Sequence, residues 1–307
     1  MSFRENRDPY RIWVSEILAQ QTRITALLPF FERFTLRFPT VYDLASSDEE
    51  EVLAIWAGMG YYARARNLRK AAQVIVTKHN GQLPQDIVAL QALPGVGTYT
   101  AGAIASIAYG QREPAVDGNV RRVYARIAAD NEGDPTPWVW RLMEGVNPGD
   151  VTEALMELGA LVCLPKSPRC EICPVQEDCR AKQANAVGLY PKKLKKPEKS
   201  IDIKVIIVDL NENKRILLRK RTESLLNKMY EFPDENTLLS DGFTINRGEE
   251  VLQAEHIFTH RIWKMTGVTA SVSHPEGLPE GYGRYTLSEM DALAIPSAMK
   301  AFVAFIK

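Results

Sequence analysis

All four cysteines of this 307-residue chain, Cys163, Cys170, Cys173 and Cys179, fall within one short segment. Their spacing, C-x6-C-x2-C-x5-C, puts four thiols on a single loop with no histidine among them, so that all four can converge on one centre. Four thiolates suit a [4Fe-4S] cluster or a tetrahedral zinc, and ligand type alone leaves both open. Unrelated structural thiols would be scattered along the chain instead.

The length suggests two domains, and 45% hydrophobic with 25% charged residues is the composition of a globular chain that buries real cores. Collagen, a coiled-coil rod and a disordered tail are excluded. No apolar run approaches the roughly 18 residues a membrane span needs, and the opening MSFRENRDPY lacks the apolar stretch of a secretory signal. A cytoplasmic protein is expected. The 38 Lys+Arg balance 38 Asp+Glu, which removes the simplest electrostatic argument for a nucleic-acid partner but can hide local patches.

From Asp8 to about Tyr190 the pattern is helical. Asp8-Pro9 reads as a cap followed by a first-turn proline, opening a helix from Tyr10 to Thr22. Further apolar-periodic segments run near 27–38, 49–58, 63–78, 85–92, 98–109, 120–128 and 151–162, broken at Pro39, Asn80-Gly81, Pro94-Gly95 and Asp117-Gly118. The stretch YPKKLKKPEK from Tyr190 is too charged to pack and too proline-broken for a helix, and reads as a linker. Beyond it IDIKVIIVDL and RILLR, joined by the polar turn Asn211-Glu212-Asn213, suggest a β-hairpin in an α+β domain.

Several residues could carry chemistry. Leu93-Pro94-Gly95-Val96-Gly97 sits between two helical segments, the arrangement of a helix-hairpin-helix, whose bare amides and helix N-terminus can grip a DNA backbone without reading sequence. Glu16 lies mid-helix near Ile12 and Trp13. On a partly apolar face its carboxyl would be raised toward the range of a general acid, although from periodicity alone a solvated surface glutamate is the better reading. Asp117, ahead of Gly118 and Asn119, reads first as a helix cap, while Ala115 and Val116 before it argue for partial burial. Arg64, Arg66, Arg69 and Lys70 follow Tyr61-Tyr62; this combination fits a nucleic-acid surface or, equally, a solvated helix face.

Taken together, residues 3 to about 190 resemble the adenine DNA glycosylases of the MutY type, within the helix-hairpin-helix glycosylase superfamily. The matching strings, in the family's order, are DPYRIWVSEILAQQT, GMGYYARARNL, LPGVGTYTAGAI, AVDGNVRRV, ELGALVC and the cysteine spacing. The resemblance implies an N-terminal all-α helix-hairpin-helix glycosylase fold over 1–190 with an iron-sulfur cluster loop (163–179), a linker at 191–200, and a C-terminal α+β Nudix-like domain over 201–307. It implies a [4Fe-4S] cluster rather than zinc on Cys163, Cys170, Cys173 and Cys179. Glu16 would protonate the departing adenine, and Asp117 would stabilise the positive charge developing on the sugar. Asn119 would order that site, with Arg4 and Glu153 lining the adenine pocket. Gln21, Met59 and Tyr61 match the wedge that helps the base leave the stack; Thr22 is expected against the substrate, and Gly95, Val96 and Gly97 against the DNA backbone. Bifunctional relatives carry a Schiff-base lysine two residues after the second hairpin glycine. Tyr99 stands there in this chain, so base excision without efficient strand cleavage is expected.

In the C-terminal domain Phe258-Thr259-His260 matches the family's Phe-Ser-His loop that senses 8-oxoguanine, with threonine keeping the hydroxyl. The acidic metal-binding helix of Nudix hydrolases is missing from 200–307, so recognition is implied and pyrophosphate hydrolysis is not. The partner so implied is double-stranded DNA containing A:8-oxoG or A:G mispairs, engaged by a nucleoid-associated monomer with no membrane attachment. The family also leads one to expect a further segment before Arg4, with a Pro-Trp pair where Ser2-Phe3 stands. A chain lacking that segment would have an incomplete adenine pocket, and the alternative reading is a lesion-binding protein without excision activity.

Overall fold

The computed structural model describes residues 7–20, 24–192 and 198–307; Arg4, Gln21 and Thr22 lie outside them. Helix α1 (Pro9–Ala19) starts where the sequence signals it: the Asp8 carboxylate accepts from Arg11 N at 2.9 Å and Pro9 fills the first turn. Ile12, Trp13, Val14, Ile17 and Leu18 are all buried, and each such side chain stabilises the fold by about 1.5–3 kcal/mol. Then follow α2 (Ile24–Arg37), α3 (Val41–Ser46), α4 (Glu49–Ile55), α5 (Ala63–Lys78), α6 (Ile87–Gln91), α7 (Thr98–Tyr109), α8 (Gly118–Ala128), α9 (Thr136–Leu142) and α10 (Pro148–Glu157). The last runs into a π turn, Leu158–Val162. Helices α3 and α9, of six and seven residues, are not among the segments the apolar period marked.

By their contacts the residues form two compact units, Met1–Ser46 with Asn67–Lys195, and Ser47–Arg66 with Lys196–Lys307. In the first, α7 is the central helix. Thr100 through Ile107 are buried continuously, as befits a helix that is apolar all round, and α1, α6 and α10 pack against it. After the π turn the chain enters the cysteine loop and the short α11 (Arg180–Gln183).

The second unit holds β1 (Ser200–Val208), β2 (Ile216–Lys220), β3 (Tyr230–Glu231), α12 (Glu235–Ser240), β4 (Thr244–Ile257), β5 (Arg261–Ser273), β6 (Tyr282–Tyr285), α13 (Leu287–Met290) and α14 (Lys300–Ile306). Two three-stranded sheets form, in the orders β1-β5-β4 and β3-β2-β6. Ile206, Val208, Ile216, Leu218, Phe232, Trp263, Met265 and Phe302 share one core. The expected β1–β2 hairpin is corrected here. Its turn forms, with Leu217 N donating to Asp209 O at 3.0 Å and one bridge at Leu210–Ile216, but β1 then pairs in parallel with β5 while β2 joins the other sheet. Apolar residues on both faces of β1 and β2 give each strand two cores to serve, and local alternation cannot express that demand. Among the described residues no helix is long and apolar enough to cross a membrane.

Candidate active site and thiolate loop

Glu16 is wholly buried on α1, at 0% exposure, which overturns the surface reading that periodicity alone favoured. Tyr99, in the first turn of α7, donates its hydroxyl to Glu16 Oε2 at 2.9 Å and lies 3.7 Å from Met156 Sδ on α10. One turn further along α1, Gln20 Nε2 donates to Thr100 Oγ1 at 3.2 Å. The packing of α1 on α7 therefore aligns two polar pairs across an otherwise apolar contact. A carboxyl out of water needs such partners, because burying it without them costs several kcal/mol.

Asp117 caps α8 and also does more than cap. Its Oδ1 accepts from Val120 N at 2.7 Å, and its Oδ2 accepts from Asn119 Nδ2 at 2.8 Å. Asn119 Oδ1 in turn accepts from Arg122 Nη2 at 2.8 Å. Arg122 is buried and also donates to the carbonyls of Gly159 (2.9 Å) and Cys163 (2.7 Å). A hydrogen-bonded path thus runs from the Asp117 carboxylate to the first residue of the cysteine loop. Gly159 lets the path close: a Cβ there would lie 2.5 Å from Asn119 Cβ.

The four cysteines line one cavity of about 390 Å³, mouth included, with Arg126, Arg169 and Lys182 among its walls. Arg126, one turn beyond Arg122, donates to Cys163 Sγ at 3.3 Å, to Leu164 O at 2.8 Å and to Tyr190 O at 2.9 Å, so it ties the start of the loop to the chain that follows it. Burial pushes the Cys170 thiol up, and Cys163, Cys179 and Cys173 beside it push it further; four thiolates gather here only with a cationic centre among them. Among the described residues no three His, Cys, Asp or Glu side chains close tightly enough to hold a single metal ion. Four thiols spread around one cavity fit a multi-iron cluster better than one tetrahedral zinc. Protein purified without air should show a visible absorption band near about 400 nm that Cys173→Ala removes; colourless wild-type protein would contradict the cofactor.

The remaining sequence-derived residues separate by unit. In the first, Glu153 Oε2 lies 3.7 Å from Arg7 Nη2, and Arg7 also pairs with Asp150. Gly95 and Gly97 are exposed while Val96 between them is buried as the anchor of the turn, and Gly97 is the N-cap of α7. In the second unit, Phe258 packs edge-on against Trp263 (4.9 Å) and His256 (4.6 Å). Phe258 N–H donates to Arg261 O at 2.8 Å, closing the β4–β5 turn, and Thr259 and His260 are presented to solvent. Met59 and Tyr61 lie on a loop of this same unit, where the Tyr61 hydroxyl accepts from Thr259 Oγ1 at 3.3 Å. Of the basic run after Tyr62, Arg66 is spent on Glu49 (3.1 Å) and the Asn227 carbonyl. Sequence reasoning missed Arg64, Arg122 and Arg126 as internal ties. For the last two the i, i+4 spacing on one helix face was the available signal, but arginine is ordinarily exposed.

Residues 14–148 match the HhH-GPD superfamily of base excision DNA repair proteins, residues 163–179 the iron-sulfur binding domain of endonuclease III, and residues 205–304 the NUDIX domain. The cofactor is accordingly a [4Fe-4S] cluster. The human adenine DNA glycosylase is 45% identical over 188 residues, 58% of this chain and 34% of that protein, so the match spans about a third of the human relative's length. A solved thermostable thymine-DNA glycosylase superposes with a TM-score of 0.54 at 29% identity, covering 60% of this chain and 88% of that one. The adenine DNA glycosylase of Buchnera aphidicola (Acyrthosiphon pisum strain) is 32% identical over 276 residues, covering 84% of this chain and 78% of that protein. With its helical unit, cysteine loop and NUDIX domain in that order, the chain belongs to the adenine DNA glycosylase family.

Proposed function

We propose that this chain is a monofunctional DNA glycosylase that removes adenine mispaired with 8-oxoguanine or guanine in double-stranded DNA. The observation that carries this reading is the fully buried Glu16 held by Tyr99, on a unit that also fixes the Asp117 carboxylate by two hydrogen bonds. Breaking an N-glycosidic bond leaves a poor leaving group and an electron-poor sugar, so one carboxyl must donate a proton while another stays ionised. Glu16 delivers its proton to the flipped adenine as the C–N bond breaks toward the base. Asp117 stabilises the oxocarbenium-like sugar, with Asn119 and Arg122 fixing its orientation, and water then completes an abasic site. Tyr99 has no amine with which to attack that sugar, so the strand stays intact.

Cys163, Cys170, Cys173 and Cys179 would hold the cluster, which when bound cross-links the 163–179 loop. The exposed turn at Gly95 and Gly97 with the N-terminus of α7 suits a DNA phosphate, and the Glu153 carboxylate belongs to the adenine pocket. On the recognition side Thr259 and His260, anchored by Phe258, contact 8-oxoguanine, while Tyr61 and Met59 wedge into the stack. In this reading the glycosylase domain runs over 1–190 and the recognition domain over 201–307. The test is single-turnover reaction on a duplex with adenine opposite 8-oxoguanine, quenched with and without alkali. Breaks only after alkali are expected; breaks without alkali, or no abasic product, refute the monofunctional glycosylase.

A further inference from the structure

Within the second unit the chain around Tyr61 turns on three residues of positive φ, Gly58 (95°), Gly60 (68°) and Tyr61 (48°). Glycine adopts this conformation freely, whereas tyrosine is held there against its own preference. Tyr61 is 49% exposed, and its hydroxyl is tied to Thr259 on the β4–β5 tip. The loop must therefore be braced from behind. Trp56 Nε1 donates to the Gly60 carbonyl at 3.1 Å, and Gly58 N–H donates to the Tyr62 hydroxyl at 3.3 Å.

The third brace is Arg64. Its Nη2 lies 3.3 Å from both the Met59 and the Gly60 carbonyl oxygens. Its Cζ stands 5.2 Å from the Trp56 ring centroid and 5.6 Å from that of Tyr61. One planar guanidinium thus closes two loop carbonyls while contacting two rings. Burial lowers its pKa to about 10, still far enough above neutrality for the cation to persist and attract both ring faces. An arginine that the sequence placed beside phosphates or in solvent is instead the inner support of the exposed tyrosine.

We propose that Arg64 is a positioning residue: its guanidinium, held between two loop carbonyls and two rings, fixes the attitude of Tyr61 and so sets the preference for 8-oxoguanine over guanine opposite the target adenine. The proposal rests on the glycosylase reading above. Lysine would keep the charge, but an ammonium has no rigid plane to hold against two rings while it reaches both carbonyls.

The test uses the full chain with its cluster, as wild type, Arg64→Lys and Arg64→Met. Adenine release is measured in single turnover from duplexes with 8-oxoguanine or guanine opposite the adenine. Unstacking is read separately, from 2-aminopurine beside the opposite base in duplexes whose adenine carries a 2′-fluoro sugar and cannot be released. Both variants should lower the 8-oxoguanine-to-guanine rate ratio about tenfold and damp the fluorescence change. A general structural defect would lower both rates alike and spare the ratio, so a ratio within about twofold of wild type in either folded variant overturns the proposal. If both variants fail to fold, Trp56→Phe, which keeps a ring and removes the donor to Gly60, should lower the ratio by a smaller factor; an unchanged ratio there overturns it too. A wild-type protein that gives the fluorescence change but releases no adenine refutes the glycosylase reading alone, and Arg64 is then judged by whether its variants lose that fluorescence change.

Discussion

Glu16→Gln should reduce adenine release from a duplex with adenine opposite 8-oxoguanine by about 10³-fold or more, within the range that general acid catalysis supplies, while duplex binding survives. The substitution is nearly isosteric and leaves an amide oxygen to accept from the Tyr99 hydroxyl, which now donates to Glu16 at 2.9 Å. The packing of α1 on α7 should therefore persist, with a thermal midpoint within about 5 °C of wild type. Single-turnover excision, a binding titration and a melt on the same preparation check the three parts. Excision within about tenfold of wild type would remove Glu16 as the proton donor.

Asp117→Asn should cost about 10²–10³-fold in the same assay, the scale of losing one preorganised electrostatic group at a developing charge. Asparagine is as good a helix cap as aspartate, and α8 begins with the Asp117 Oδ1 to Val120 N contact, so the helix should stay capped. What is lost is the negative charge that the proposed mechanism sets against the sugar, together with the contact from Asn119 Nδ2, which an amide nitrogen cannot accept. Asp117→Ala would lose the cap as well, destabilising the protein by about 1 kcal/mol. Activity close to wild type in Asp117→Asn, in protein that melts normally, would show that the residue is only a cap.

The two carboxyls differ in how far the sequence disclosed them. Asp117 was legible as a cap because capping is local, an aspartate followed by glycine and asparagine ahead of a helical run, and the structure retains that role while adding the Asn119 contact. Glu16 was misleading by pattern alone, since a glutamate in an apolar-periodic helix is ordinarily at the surface. Its burial comes from α7, more than eighty residues along, whose buried stretch from Thr100 to Ile107 leaves α1 almost no face to solvent. The arginines show the same limit more sharply. Arg64, Arg122 and Arg126 belong to runs that resemble a basic surface in one dimension, yet each turns inward to carbonyls or rings that distant or looped segments supply.

By itself the sequence determined the local facts: where α1 begins, which loop gathers the thiols, and that the chain changes from helical to strand character near residue 200. Each of these depends on neighbours within a few residues, through capping, ligand spacing and hydropathy period. The tertiary structure alone decided that Glu16 is buried against Tyr99, that Asp117 is wired through Asn119 and Arg122 to the cysteine loop, and that β1 and β2 leave their shared turn for different sheets. Those outcomes follow from the requirement that every buried polar group find a partner and every apolar face find a cover. The groups that meet it come from remote parts of the chain, beyond the reach of any local pattern.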